Sequence, residues 1–397
     1  MFEESKEATF MKKHFQKYYL THKVDSVPDV ERREFGYGVF KRKIANRNLA
    51  FSGVDGMNRF LCEKTPLFFS YSNSYYSFPD KQPMQNKGWL QSDLIYEFDA
   101  DEINAVCEKT NGVWVCNKTF GEENAVEEID NKQWFLDKSL ELSKQQLFRL
   151  VDFLEEDFGF DLEKIAVNFS GKAGYHLHIR KKEIQKLNKK SRIELVDYIT
   201  GYGMYYDNIG FELEKALSCP KGNGLWGKRI NKGIKEFFKK DSKEIARITK
   251  LPSAKLNMLM KNKPEVINGI EKGLLYDVGA RTNKEFWKSV IDFVVQTYMV
   301  PIDRQTSIDL HKIIRVPNSL HGETGFIAKE LSIEKLKEFD PFNDAVVFGE
   351  DMIKLFVKHT PKFSLKGKSF GPYENELVEV PLYCAIYLVG KGVAELR

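Results

Sequence analysis

The stretch Ile165 to Arg180, IAVNFSGKAGYHLHIR, limits the possible folds most. It is an apolar run, a turn holding Gly171 and Gly174, and a returning run in which polar and apolar residues alternate. Such a pattern reads as two strands joined by a glycine turn. Just before it, SLELSKQQLFRLVDFLEEDFGF places Leu147, Leu150, Val151 and Leu154 on one helical face. Earlier still, LQSDLIYEFDAD (Leu90 to Asp101) is the clearest strand of the N-terminal half. Strand, helix, strand in that order implies a mixed α+β or α/β layer architecture.

Around this centre, residues 1 to 35 have helical periodicity, with Phe10, Phe15, Tyr18, Tyr19 and Leu20 on roughly one face before Pro28. Phe35 to Phe51 and Pro66 to Phe78 read as a small sheet. Between Arg180 and Gly273 the sequence becomes Lys-rich, with short helices expected at SRIELVDYITGYG, NIGFELEKAL, KGIKEFFKK and EIARITKL. FVVQTYMVPID, 293 to 303, reads as a returning strand, and VPLYCAIYLVGKGVAEL as a last apolar helix docked on the core. The expected organisation is a discontinuous core (1–182 and 274–365), a basic helical insertion (183–273) and a C-terminal segment (366–397).

A 42% hydrophobic and 13% aromatic chain of 397 residues can bury a sizeable core, which excludes wholesale disorder. Five scattered cysteines lack the spacing of a disulfide framework and predict reduced thiols. No apolar run approaches the length of a membrane span, and the N-terminus has no signal-like apolar region. A cytoplasmic protein is expected.

The chemistry gathers in three places. In YEFDAD, a strand period of two puts Asp99 and Asp101 on one face, with Leu94, Tyr96 and Phe98 turned toward the core. Two carboxylates at a strand end suit divalent cations and two-metal phosphoryl transfer, although a lone D-x-D is more often a solvated strand edge or turn with no site. In NFSGKAGYHLHIR, the glycines let backbone N–H groups approach a phosphate, with Ser170 and Lys172 adding donors. His176 and His178 are open to three readings there: a metal pair, phosphate donors or half-buried sheet residues. The third place, VPIDRQTSIDLHKIIRVPNSLHGETGF, supplies Asp303, Asp309, Arg315, Ser319 and His321, the cations and hydroxyls that a triphosphate needs.

Together the three segments resemble the small catalytic subunit of archaeal and eukaryotic DNA primase, of the archaeal type. The family pattern is an acid pair on a strand, S-G-x-x-G-x-H, and a late D…R-x-P-x-S-L-H-G-x-T-G segment, all present in order. RREFGYG, NRNLAF, YSNSYY, DFLEEDFGF and FDPFNDAVVF extend the match along nearly the whole chain. The resemblance implies the primase fold with an RRM-like sheet unit, and template-directed synthesis of primers de novo on single-stranded DNA from NTPs, with dNTPs also candidates. It implies that Asp99, Asp101 and Asp303 hold Mg²⁺ or Mn²⁺, Asp303 being favoured over Asp309 by its spacing to the S-L-H histidine. By the same resemblance Ser170, Lys172, His176, Arg315 and His321 grip the triphosphate, and Arg47 and Glu34 are linked to nucleotide binding. A large iron-sulfur subunit is the implied partner. Relatives often carry a zinc knuckle after the acid pair; here only Cys107 and Cys116 remain, so a metal-free or partial knuckle is expected. Two other readings compete: a plasmid or repair primase-polymerase, and a non-catalytic module that binds single strands.

The net charge of +4 is unevenly spread. Arg180 to Gly273 carries 22 Lys and Arg against 11 Asp and Glu, leaving 39 against 46 elsewhere. A basic insertion beside an acidic core could attract a nucleic-acid backbone, or be an ordinary solvated helix surface.

Overall fold

A computed structural model describes residues 5–99, 105–110, 113–119, 136–162, 165–221, 225–302 and 304–397. Two four-stranded antiparallel sheets carry the candidate chemistry. In the first, the strands run in the order Ile313–Arg315, Phe68–Ser72, Phe35–Val39, Arg42–Leu49. Phe35, Phe69 and Tyr71 are buried on it, and the Phe35 and Phe69 rings stack at 5.4 Å.

The second sheet has the order Glu330–Leu331, Ile165–Phe169, Gly174–Ile179, Leu94–Asp99. The expected glycine-turned hairpin therefore forms, and its returning strand lies between Ile165–Phe169 and the acid-bearing strand. Register pairs Gly174 with Asp99, His176 with Glu97 and His178 with Ile95. The helix Leu136–Phe158 connects strand to hairpin and packs on the sheet, burying Leu147, Leu150, Val151 and Leu154 as their spacing predicts. This strand–helix–strand–strand unit, with its last strand in the middle, belongs to the RRM-like arrangement expected.

The N-terminal helix Lys6–Thr21 starts at Ser5, whose hydroxyl accepts the Ala8 N–H at 3.2 Å. It buries Met11, Phe15, Tyr18 and Tyr19, whereas Leu20 is 67% exposed. At about 100° per residue, one step past Tyr19 carries Leu20 off the apolar face. Two further expectations fail. FVVQTYMVPID is not a strand: Phe293 to Tyr298 end the helix Asn283–Tyr298, whose buried Val290, Ile291, Val294, Val295 and Tyr298 follow a helical period. NIGFELEKAL is not a helix. After a short 3₁₀ turn at Tyr206–Ile209, the Glu212 carboxylate accepts the N–H groups of Glu214 and Lys215, and a bridge from Glu212 to Ser218 closes the loop. Glu212 thus satisfies locally the N–H groups a helix would have used.

Helices do form at Lys189–Thr200, Leu225–Phe237 and Ser242–Thr249. The C-terminal helix Leu382–Gly390 buries all nine of its residues. It sits against a three-stranded sheet, Tyr373–Pro381, Met352–Thr360, Ala394–Leu396, which the sequence reading did not anticipate. No helix among the described residues is long and apolar enough to cross a membrane.

One buried residue ties the two sheets to the helical region. Asp93, immediately before the acid-bearing strand, is fully buried with Arg33, at 2.8 Å between Nη2 and Oδ2. Its other oxygen accepts from the Tyr75 hydroxyl at 3.0 Å and Gln185 at 2.8 Å. Arg192, from the helix Lys189–Thr200, donates to the Asp93 and Ser92 carbonyls at 2.9 and 2.7 Å. Arg33 also lies 3.4 Å over the Tyr75 ring.

Candidate active site

A cleft of about 180 Å³ lies between the sheets, with Glu97 and Asp99 contributed by one strand, Lys43 and Arg315 by the facing sheet, Lys172 by the hairpin turn and His321 by the loop after Ile313–Arg315. The apolar side of the 94–99 strand explains its acidic one: Leu94, Tyr96 and Phe98 are buried, so the alternate residues Glu97 and Asp99 face the cleft. Ile95, on the same side of the strand as Glu97 and Asp99, is buried as well.

The glycines of the turn are needed for close approach. At Gly174, a Cβ would lie 2.5 Å from Asp99 Oδ1. Gly171 has φ +86°, and a Cβ there would meet the His321 side chain at 2.8 Å. The turn is wound around Ser170, whose Oγ accepts the N–H groups of Gly174 at 3.1 Å and Lys172 at 3.4 Å. Those two N–H groups are therefore satisfied within the turn, and Ser170, Lys172 and Ala173 line the cleft.

His321 is buried, and its Nδ1 accepts the Glu323 N–H at 3.2 Å, which leaves the ring proton on Nε2. Burial, reinforced by the charges of Arg315, Lys172, Lys43 and Lys391, holds its pKa well below the usual histidine range. It is a neutral donor. Arg315 is enclosed too: burial lowers its pKa to about 10, and it stays charged at neutral pH. One Nη donates to the Phe69 carbonyl at 3.4 Å, while Nε has no hydrogen-bond partner among the described residues.

Glu97 escaped the sequence reading, although it continues the same alternation backward from Asp101 and Asp99. His176 Nε2 lies 3.1 Å from its Oε1, and Lys312 Nζ 3.3 Å from its Oε2. Burial alone would raise the Glu97 pKa, but His176, Lys312 and a hydrogen bond with Thr306 pull it far below the ordinary carboxylate range. His176 thus lines the cleft with one nitrogen committed to Glu97, and its Nδ1 has no partner among the described residues.

A family model described as DNA primase small subunit matches residues 137–333, from the long helix through the hairpin to just past the His321 loop. The DNA primase small subunit PriS of Methanothrix thermoacetophila is 31% identical over 418 residues, covering 99% of this chain and 100% of that protein. The chain belongs to the DNA primase small subunit family. It is an enzyme of the DNA-directed nucleotidyltransferase class. PriS of Methanosarcina barkeri is similar at 30% identity, over 99% of this chain and 97% of that one. PriS of Nitrosopumilus maritimus is 26% identical, with 98% of each covered.

The other expected site residues of this primase subunit fall in different places. Glu34 is fully buried and bonded to Arg47 at 2.9 Å, with Lys87 at 3.5 Å from its second oxygen. This cluster sits on the first sheet and contributes no lining to the cleft just described. Asp309 is exposed and accepts the His311 N–H at 2.8 Å, capping a turn. Asp101 and Asp303 lie outside the described residues. In the hairpin Ala105–Thr110 with Val113–Thr119, Cys107 and Cys116 are Cα partners, and their side chains are likewise outside the description. In the basic region, Lys190, Lys235, Lys239 and Lys240 pair with Glu194, Glu271, Glu236 and Glu244, which spends part of the local charge surplus on neighbouring acids.

His178 takes the plainest of its three readings. It is buried, and neither ring nitrogen has a partner among the described residues. Burial, with Arg180, His176 and Arg33 nearby, holds its pKa well below the usual value of 6.5. Both His178 and His321 therefore bind protons more weakly folded than unfolded. Their contribution is intact above about pH 6.5 and is lost as the pH falls below it, at up to about 1.4 kcal/mol per pH unit each. Chemical denaturation should show stability falling as the pH is lowered from about 7.5 to about 5.5, with a shallower slope in His178→Leu. A pH-independent midpoint would mean that these rings are not held neutral.

Proposed function

We propose that this cleft is where the primase subunit makes primers de novo on single-stranded DNA, joining nucleotides by metal-dependent nucleotidyl transfer. The observation that carries the reading is the half-buried Arg315, whose enclosed Nε has no hydrogen-bond partner among the described residues, set among Lys172, the neutral donor His321 and the carboxylates of one strand. Such a site fits an anion that is also metal-bound, since the cleft offers hard oxygen ligands on one wall and cations on the other.

Asp99, joined by Asp101 and Asp303, would hold Mg²⁺ or Mn²⁺, which when bound activates the attacking 3′-hydroxyl and stabilises the leaving oxygen. Glu97 is engaged by His176 and Lys312 and is better suited to fixing His176 than to binding a metal. Arg315, Lys172 and the His321 Nε2–H bind the triphosphate and stabilise the charge that develops on departing pyrophosphate. Ser170 orders the turn through its two N–H bonds and offers its own hydroxyl proton to the same anion. The expected substrates are NTPs, with dNTPs as further candidates. The relatives are named small subunits, which supports a large subunit as partner, and the family resemblance gives that partner an iron-sulfur cluster. The two paired cysteine positions are too few for a closed zinc site by themselves.

Arg315→Ala should lower kcat/KM for primer synthesis by about 10²-fold or more, with single-strand binding little changed. Synthesis at the wild-type level in that variant would remove the triphosphate from this cleft. Binding of single strands by the wild-type protein with no synthesis at all would favour a non-catalytic module.

A further inference from the structure

The cationic wall of the cleft holds a carboxylate that the proposed chemistry does not use. Glu323, two residues after His321, forms an ion pair with Lys172, and its other oxygen is 3.8 Å from Lys43 Nζ. Both lysines line the cleft. Burial works against ionisation of Glu323, but the Lys172 contact and the charges of Lys43 and Lys391 outweigh it, so the carboxyl stays charged. An anion is thus already seated on two cations where a triphosphate would bind, and the two cannot share them without like-charge repulsion.

We infer that Glu323 is a place-holding counterion of the triphosphate subsite, exchanged for the polyphosphate when a nucleotide enters, and that Lys43 is an additional phosphate-binding residue released by that exchange. The inference rests on reading this wall as the triphosphate subsite. The geometry allows a side-chain exchange with the backbone fixed. The Glu323 N–H is bonded to His321 Nδ1, and its carbonyl packs against Gly390 at the end of the C-terminal helix, while the side chain is 28% exposed and can rotate toward solvent. Lys43 comes from the strand Arg42–Leu49 of the first sheet and Lys172 from the turn of the second. Glu323 therefore bridges the two sheets, keeping neighbouring cations from repelling one another.

The arithmetic is that of a binding-competent fraction. If Glu323 occupies the lysines in about nine molecules of ten, apparent affinity is about tenfold weaker than the site could give. The test is calorimetric titration of the full chain with inorganic tripolyphosphate, without metal. Glu323→Gln should bind about tenfold tighter than wild type, and Glu323→Ala should shift in the same direction, each variant being checked for an unchanged thermal melt. Lys43→Ala should weaken binding, and by a larger factor in the Glu323→Gln background than alone, since only there is Lys43 fully available. Equal or weaker binding by both Glu323 variants, or no tripolyphosphate binding by any of the proteins, overturns the inference. Primer synthesis is measured separately on the wild type. Tighter binding without any synthesis would retain the place-holder and discard the catalytic reading; synthesis with unshifted binding would do the reverse.

Discussion

Asp99→Asn is expected to cut template-directed nucleotide incorporation by about 10³-fold or more, with the fold retained. The substitution keeps the shape that packs against Gly174, so the close approach of turn and strand survives. What it removes is the negative charge that a divalent cation needs. Glu97 is a poor substitute, although it faces the same cleft, because both its oxygens are already bonded, to His176 and to Lys312. Incorporation of labelled nucleotides on a single-stranded template with Mg²⁺ or Mn²⁺ reads the effect directly. Activity within a few-fold of wild type would take the metal away from this strand.

The second large effect is on stability. Asp93→Ala is expected to destabilise the protein by about 3–5 kcal/mol, because it leaves the Arg33 guanidinium buried with no counter-charge. Both partners of that pair have no solvent exposure, and the same carboxylate accepts from Tyr75 and Gln185. Asp93→Asn keeps an acceptor for those groups but not the charge, and should fall between the wild type and alanine. Denaturant unfolding measures both. A loss below about 1 kcal/mol for alanine would be the behaviour of a solvent-screened surface pair, and would mean that the Asp93 carboxylate does not hold Arg33, Tyr75 and Gln185 together.

The parts of the fold that the sequence makes legible are those in which local period and burial agree. Ile165–Phe169, the glycine turn and Gly174–Ile179 form the hairpin that IAVNFSGKAGYHLHI spells out, and Leu147, Leu150, Val151 and Leu154 bury as one stripe. The reading of FVVQTYMVPID failed because a short β-branched run suits a buried strand and a buried helix alike, and only the preceding Phe286, Trp287, Val290 and Ile291 reveal the helical period. Glu97 is less legible for a narrower reason: it stands outside the D-x-D pair, although the alternation that selects Asp99 selects residue 97 as well. Asp93 was beyond local reasoning. Its partners Arg33, Tyr75, Gln185 and Arg192 are distant in the chain, and nothing in the sequence near it marks a buried charge. Glu323 sits inside the family-like S-L-H-G-x-T-G segment at the variable position, so the motif itself gave no reason to examine it.

Diffraction from crystals soaked with Mn²⁺ and a non-hydrolysable nucleoside triphosphate tests most directly whether one cleft joins a metal-binding strand to a triphosphate-binding wall. Expected are an anomalous manganese peak beside the Asp99 carboxylate, and the triphosphate in contact with Lys172, Arg315 and His321 Nε2, with Glu323 turned away from the lysines. A triphosphate bound elsewhere, with Lys172 still paired to Glu323 and no manganese at Asp99, would contradict it.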